Sequence, residues 1–134
     1  MICLDTNVVI ATLNNRVTGV RHRIGEQLRS GVRIALPVIV LFELRYGYAK
    51  SARRSGAELL LAAFLRQGIE ILPFEADDAG HAGDIRAHLE QAGQPIGHYD
   101  TLIAAQARCR GAVLVTANTR EFERVPGLLV TDWA

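Results

Sequence analysis

The sequence predicts a three-layer α/β/α sandwich built around a parallel sheet of about five strands. Short apolar runs alternate with longer amphipathic stretches along the chain, which is the pattern of repeated strand–helix–strand units. A length of 134 residues is that of one ordinary domain, and no linker, internal repeat or low-complexity segment interrupts it. We therefore expect residues 1–134 to form a single α/β domain.

Five apolar runs are the candidate strands, and the stretches between them are typical of helices. Strands are predicted at residues 2–4, 32–36, 70–74, 113–116 and 129–130. Helices are predicted from Thr6 onward, over 38–50, over 56–66, from a cap at Asp77 or Asp78 to about residue 92, and over 99–110. Gly68, Gly93 and Gly111 follow the last three helices, at positions where a helix commonly ends in the left-handed conformation.

The amino-acid composition excludes several classes of protein. Hydrophobic residues make up 49% of the chain and charged residues 22%, a globular balance that excludes general disorder. No stretch contains the roughly 18 apolar residues of a membrane span, and the N-terminus lacks the basic region of a secretory leader. Cys3 and Cys109 lie far apart in apolar surroundings, which favours free thiols over a disulfide. We therefore expect a cytoplasmic protein that is not inserted in a membrane.

The charges are unevenly distributed along the chain. Residues 1–67 carry ten basic and four acidic side chains, whereas residues 68–134 carry five basic and ten acidic ones. Fourteen of the fifteen basic residues are arginine, whose planar guanidinium suits bidentate contact with phosphate. Because genome composition can also produce arginine-rich chains, the sequence permits an anionic partner without demonstrating one.

Three carboxylates stand in otherwise apolar surroundings. Asp5 directly follows the first predicted strand, Glu43 lies in a nearly apolar helix, and Asp100 is the only charge in the segment 95–107. An unpaired carboxylate is costly to bury, so each of them needs a cation, hydrogen bonds or a metal ion. A buried salt bridge or a helix cap explains any one of the three. Few basic residues lie in these apolar runs, however, and one divalent cation would serve all three if the fold brings them together.

The type of ligand indicates the type of metal. Carboxylates without His or Cys favour Mg²⁺ or Mn²⁺, which are hard ions held by a few oxygens and by water. The four histidines have no HExxH or CxxC companion, which disfavours zinc. No GxxxxGK[ST] or GxGxxG motif follows a strand, so a glycine-rich nucleotide-binding loop is not supported.

Four segments along the chain point to a family. They are LDTNVVI at residues 4–10, FELRYG at 42–47, IGHYDTLIAA at 96–105 and VTANTREFERVPGL at 115–128. In this order and spacing they resemble the PIN domains of the VapC type, the toxins of bacterial type II toxin–antitoxin pairs. The resemblance implies a PIN-like fold and a metal-dependent endoribonuclease, often directed at a structured RNA such as a tRNA anticodon stem-loop.

The resemblance places the acidic positions of the family on Asp5, Glu43 and Asp100, as metal ligands. Where many PIN domains have a fourth acid, this chain has Asn118, with Glu121 one helical turn later. Asn118 can bond a metal-bound water, and Glu121 can supply the carboxylate. A solvated acid favoured by the helix dipole is the competing interpretation of Glu121.

Supporting roles are open for two further groups of residues. Thr6, Asn7 and Thr116 are candidates for orienting carboxylates or water, with helix capping and turn formation as the alternative. Arg45, Arg120 and Arg124 are the nearest candidates in sequence for phosphate contacts, with a surface or antitoxin-facing position as the alternative.

The resemblance also implies partners. They are a cognate VapB-like antitoxin, which neutralises the enzyme and itself binds the operator DNA, and a second copy of the chain. The run 59–65 is too continuously apolar for one core-facing stripe, which supports a homodimer unless a neighbouring helix of the same chain covers it. The competing function is a non-catalytic binding module in an antitoxin-tethered repressor complex. Retention of all three core carboxylates favours the enzyme.

Overall fold

The computed structural model describes residues 1–16 and 18–134, without the side chain of Thr18. The described residues form five strands: β1 (Ile2–Leu4), β2 (Ile34–Pro37), β3 (Glu70–Leu72), β4 (Val113–Val115) and β5 (Leu129–Thr131). All neighbouring strands pair in parallel, in the order β3-β2-β1-β4-β5. The predicted α/β fold with a parallel sheet of about five strands is confirmed.

The described residues also form seven helices. They are α1 (Thr6–Leu13), α2 (Thr18–Arg29), α3 (Val38–Ala49), α4 (Arg54–Leu65), α5 (Ala76–Gln91), α6 (His98–Cys109) and α7 (Thr119–Phe122). Helices α2, α3 and α4 each contact α1, and α5 packs extensively along α6. Right-handed crossovers place these two groups on opposite faces of the sheet, which gives the three-layer sandwich.

The core lies at the three inner strands of the sheet. Cys3 and Leu4 of β1 and Leu114 of β4 are fully buried, as are Ile34 and Leu36 of the neighbouring β2. These residues are apolar in succession rather than in alternation because helices cover both faces of the sheet.

The element boundaries differ from the predicted ones by a few residues. Strand β2 begins at Ile34 rather than residue 32, because the strand pairing begins with Ile2 opposite Ile34. Helix α4 begins at Arg54 and so includes Ser55, which precedes the predicted start. Helix α5 is capped by Glu75 rather than by Asp77 or Asp78. Asp78 instead sits at the third helical position and accepts from the backbone N–H of Glu75, completing a capping box.

The predicted helix ends are confirmed at the three glycines. Gly68, Gly93 and Gly111 have φ values of 103°, 69° and 63°, which a residue without Cβ adopts at little cost. Cys3 and Cys109 are both free thiols, the first buried and the second half-buried. Within the described part of the chain, no helix has the length and apolar character needed to cross a membrane.

Candidate active site

The strand order creates a switch point between β1 and β4. From β1 the chain proceeds through β2 to β3 at one edge of the sheet, and from β4 it proceeds to β5 at the other. In open parallel sheets, the crevice outside the carboxyl ends of the strands at such a point is the usual ligand site. Asp5 follows β1 and Thr116 follows β4, so both occupy this position.

Asp5 is held rigidly by hydrogen bonds to both of its carboxylate oxygens. It caps α1, where its Oδ1 accepts from the backbone N–H of Thr6 at 2.8 Å. Its Oδ2 accepts from the hydroxyl of Thr116 at 2.7 Å, and the side chain is only 4% exposed. The hydroxyl oxygen of Thr116 in turn accepts from the backbone N–H of Asn118 at 3.0 Å. This network fixes the orientation of the carboxylate relative to the strand ends.

Glu43 reaches the same site from helix α3. Its Oε1 accepts a hydrogen bond of 2.7 Å from the hydroxyl of Thr6. Thr6 thus donates its backbone N–H to one carboxylate and its hydroxyl to another, so the first residue of α1 connects Asp5 to Glu43.

Asp100 and Glu121 enter from the other face of the sheet. Asp100 lies in the first turn of α6, and its Oδ2 lies close to Gly97, which caps that helix. The Oε1 of Glu121, from α7, accepts from the backbone N–H of Gly97 at 3.1 Å, and its Oε2 accepts from the side-chain amide of Asn118. Glu121 is therefore half-buried and bonded to the start of α6. It is not a freely solvated acid.

The pKa values indicate that the carboxylates act on one another. Burial raises the pKa of Asp100 to about 7, with further increases from the negative charges of Asp5, Glu121 and Glu43. Burial also raises the pKa of Asp5, because it outweighs the hydrogen bonds from Thr116 and Thr6, and Glu43 and Glu121 add to the increase. Like charges produce such shifts only at short range. The four carboxylates therefore share one electrostatic site.

The structure places only some of the other predicted supporting residues in contact with the carboxylates. Thr6 and Thr116 orient carboxylates, whereas Asn7 is exposed. Arg45 lies 3.7 Å from Glu58, and Arg124 donates to the carbonyl of Pro95 at 3.3 Å. Arg120 is exposed beside the site on α7.

Sequence reasoning missed two features of the site. The backbone N–H of Gly97 ties Glu121 to α6, and a backbone donor has no signature in the sequence. Phe42, Tyr46 and Tyr99 form an exposed aromatic group next to Glu43. The spacing of Phe42 and Tyr46, four residues apart on α3, is a signal that could have found part of this group.

The donor set fits a hydrated divalent ion. Among the residues that the structure describes, no three His, Cys, Asp or Glu side chains form a ready-made metal cage. Mg²⁺ does not need such a cage, because it usually keeps several waters and is held directly by one or two carboxylates. The negative charges that raise the pKa values of Asp5 and Asp100 are the charges that such an ion neutralises.

Comparisons with known proteins identify the class to which this fold and site belong. The family model of the PIN domain matches residues 2–128. The tRNA(fMet)-specific endonuclease VapC of Shigella flexneri is 41% identical over 131 residues, covering 98% of this chain and 96% of the relative. A structure of VapBC2 from Rickettsia felis bound to promoter DNA contains a chain that is 37% identical, with a TM-score of 0.93 and full coverage of both chains. A DNA-bound VapBC structure from Salmonella typhimurium gives 38% identity and a TM-score of 0.91, covering 99% of this chain and 98% of the other.

The chain belongs to the PIN-domain family and, within it, to the VapC ribonucleases. Nucleases with this domain generally depend on a divalent metal. The predicted family and enzyme class are confirmed.

Proposed function

We propose that this protein is the toxin of a type II toxin–antitoxin pair and hydrolyses phosphodiester bonds in a structured RNA, with tRNA as the first candidate. One observation carries the proposal: four carboxylates from separate elements lie close enough for their charges to influence one another. They are Asp5, Glu43, Asp100 and Glu121. Two relatives of this chain are named tRNA(fMet)-specific endonucleases, which supports tRNA as the substrate class. An RNA of this kind would place the protein in the cytoplasm.

Mg²⁺ or Mn²⁺ is the proposed metal, with Asp5, Asp100 and Glu43 as the residues that would hold it, directly or through water. When bound, a divalent ion can activate water, orient the phosphate and stabilise charge on the leaving oxygen. The side chains of the cluster are carboxylates, and their oxygens suit a hard, oxygen-preferring ion.

The chain's own residues keep the site in order. Thr116 and Thr6 donate to Asp5 and Glu43 and hold their oxygens in place. Glu121 and Asn118 are the proposed positioning groups for the attacking water, since they lie at the rim of the cluster and are bonded to each other. The carboxyl group of Asp100, with a pKa of about 7, can hold or release a proton near neutral pH while the metal is absent.

A VapB-like antitoxin is the proposed protein partner. Related chains are found in VapBC complexes bound to DNA, so we assign operator binding to the antitoxin rather than to this chain. A carboxylate cluster without its metal is a ready acceptor for a guanidinium group. We expect an antitoxin basic side chain to occupy the site between Asp5, Glu43 and Asp100. A structure of the complex that leaves these three side chains uncovered would contradict this mode of inhibition.

Cleavage by the free protein tests the proposed function. The purified chain should cut a folded tRNA in Mg²⁺ or Mn²⁺, and excess chelator should stop the reaction. Induction in cells followed by mapping of new RNA 5′ ends would identify the target, with Asp5→Asn as the matched control. A non-catalytic repressor module predicts no metal-dependent cleavage by the free protein, and that result would overturn the nuclease proposal.

A further inference from the structure

A cavity of about 560 Å³ lies directly beside the carboxylate site. Thr6 and Glu43 form part of its wall, so the cavity is continuous with the site described above. The rings of Phe42, Tyr46 and Tyr99 also line it, together with Gly47 and Lys50. Its volume lies in the range of about 300–1,000 Å³ that is typical of small-molecule sites.

The three rings are unusually exposed. Phe42 is 47% exposed, Tyr46 is 59% exposed and Tyr99 is 51% exposed. Phe42 and Tyr99 form an edge-to-face pair with ring centroids 5.2 Å apart and an interplanar angle of 60°. This contact joins α3 to α6 and holds the two rings in place, so a flat ligand could stack on them with little further loss of side-chain freedom.

The ammonium group of Lys50 borders the rings. Phe42 and Tyr46 lie on α3 and Lys50 caps its carboxyl end, so these three residues, spaced four apart, follow one side of the helix. The ammonium of Lys50, the only lysine of the chain, lies 4.4 Å from the centroid of the Tyr46 ring. The cavity therefore combines aromatic faces with a positive charge on the side away from the carboxylates.

A glycine keeps the cavity open. Gly47 lies one turn after Glu43 on α3, and a Cβ placed there would meet no atom within 4 Å. Glycine costs about 1 kcal/mol relative to alanine within a helix, so local stability does not explain its presence.

We propose that this cavity binds one unstacked nucleobase of the RNA substrate, next to the scissile phosphate, with Phe42 and Tyr99 as the stacking residues. The inference rests on the proposed nuclease function. Single-stranded bases stack on exposed aromatic rings whatever their identity, and structured RNA is read at bases turned out of the helix. A base held against Glu43 places its neighbouring phosphate at the carboxylates, while Lys50 lies near the next phosphate along the strand.

Steady-state kinetics test the proposal with a stem-loop RNA whose cut site has been mapped with the wild-type protein. Tyr99→Leu removes a stacking surface, and Gly47→Leu fills the cavity from an open position on the helix. We expect each to raise KM about tenfold or more with kcat within about threefold of wild type, because stacking holds the bound strand in both ground and transition states. Leu129→Ala, which removes an equally exposed apolar side chain at the start of β5, is the matched control.

An abasic RNA distinguishes stacking from a structural role of the ring. Removing the base next to the cleaved bond should raise KM for wild type by the same factor, and Tyr99→Leu should show no additional loss on that RNA. Equal and independent losses from the two changes would overturn the proposal.

The two proposals fail in different ways. Absence of metal-dependent cleavage by wild type would defeat the nuclease function, and fluorescence anisotropy with the labelled RNA would still measure stacking as a change in Kd. If wild type cleaves but Tyr99→Leu and Gly47→Leu leave both KM and Kd unchanged, the nuclease function stands and the stacking site is wrong. A protein partner would then be the alternative occupant of the cavity.

Discussion

Asp5 and Asp100 carry similar groups in different surroundings. Asp5 is nearly inaccessible, yet both of its oxygens accept hydrogen bonds that offset part of its burial. Asp100 lies against Glu121, and its pKa rises to about 7 through burial and the surrounding negative charge. A charge in an apolar segment is visible in the sequence, which is why both acids could be predicted. The hydroxyl of Thr116 donates to Asp5, which lies 111 positions away in the sequence, and a local sequence pattern cannot predict such a contact.

Asp100→Asn should stabilise the metal-free protein. The folded-state pKa of about 7 lies above the ordinary aspartate pKa of about 3.9, so at pH 8 the folded state holds an ionised group that it disfavours. Because Asp100 is partly exposed, solvent screens this penalty, and we expect a gain of about 1–2 kcal/mol, or several degrees in melting temperature. Thermal melts in chelator at pH 8 measure it, and the same variant should lose RNA cleavage.

The pH dependence supplies the control for Asp100→Asn. As the pH falls through 7 towards 4, the wild-type carboxyl becomes protonated in the folded state, the penalty disappears, and the two melting temperatures should converge. Added Mg²⁺ or Mn²⁺ should stabilise wild type more than the variant. A salt-bridged Asp100 predicts the reverse, a loss of about 3–5 kcal/mol on substitution. Clear destabilisation of Asp100→Asn in chelator would therefore contradict the metal-site assignment.

Thr116→Val should impair the site through Asp5. Valine has the shape of threonine without its hydroxyl, so the Oδ2 of Asp5 and the backbone N–H of Asn118 both lose a partner. We expect a loss of about 1–3 kcal/mol in the free energy of unfolding and a lower kcat for RNA cleavage. Urea denaturation and single-turnover cleavage measure the two effects, and Thr116→Ser, which restores the hydroxyl, should recover most of both. Equal failure of the serine variant would show that the methyl group, not the hydrogen bond, is what matters.

At the scale of elements, α3 and α6 contribute two of the four carboxylates and the three rings of the neighbouring cavity. Helix α3 carries Glu43 beside Phe42 and Tyr46, and Gly97, which caps α6, donates its backbone N–H to Glu121. The glycines after α4, α5 and α6 made these helix ends predictable. The start of β2 and the cap of α5 were not predictable, because the first depends on its register with β1 and the second on a reciprocal bond between Glu75 and Asp78.

Helices α5 and α6 are joined by an ion pair that should be structural and not functional. Arg110 donates to the two oxygens of Asp78 at 2.7 and 3.2 Å, and Asp78 is 1% exposed. Burial acts to raise the pKa of Asp78, but hydrogen bonds from Arg110 and from the backbone of Glu75 outweigh it and keep the pKa below its usual value. The pair therefore contributes stability above about pH 4 and loses it as the pH falls through the lowered pKa of Asp78.

Arg110→Met should destabilise the protein by about 3 kcal/mol at pH 7, because it leaves a buried carboxylate unpaired. Urea denaturation between pH 7 and pH 3 should show the difference from wild type shrinking as Asp78 becomes protonated. Arg110 lies ten residues after Asp100 on and just beyond α6, about 15 Å along the helix axis. At urea concentrations well below the denaturation midpoint of Arg110→Met, its kcat should match that of wild type. A variant that keeps its stability but loses activity would refute the structural assignment.

At the scale of the whole molecule, the strand order explains why acids from distant segments meet. The reversal between β1 and β4 brings the residues after both strands to one crevice, with α3 and α6 on opposite sides of it. The sequence indicated the parallel sheet through its alternating apolar and amphipathic segments. It did not specify which strands are adjacent, because strand pairing depends on long-range contacts. The four ordered motifs of the family supplied that information indirectly.

The remaining surface of α4 leads to a prediction about assembly. Leu61 and Phe64 are buried in the chain's own core, but Leu59 is 72% exposed and Leu60 is 52% exposed. The chain's own fold therefore buries only part of the apolar run 59–65. Burying a leucine such as Leu59 against a second copy of the chain would contribute about 1.5–3 kcal/mol to association. We expect wild type at micromolar concentration to have twice the 14.7 kDa mass of one chain in light scattering.

Leu59→Lys should shift the mass to that of a monomer without lowering the melting temperature of the fold, while Leu129→Lys, at a comparably exposed position on β5, should remain dimeric. A wild-type protein with the mass of one chain would refute the homodimer, and loss of the dimer in both variants would show that added charge, not the α4 surface, controls association.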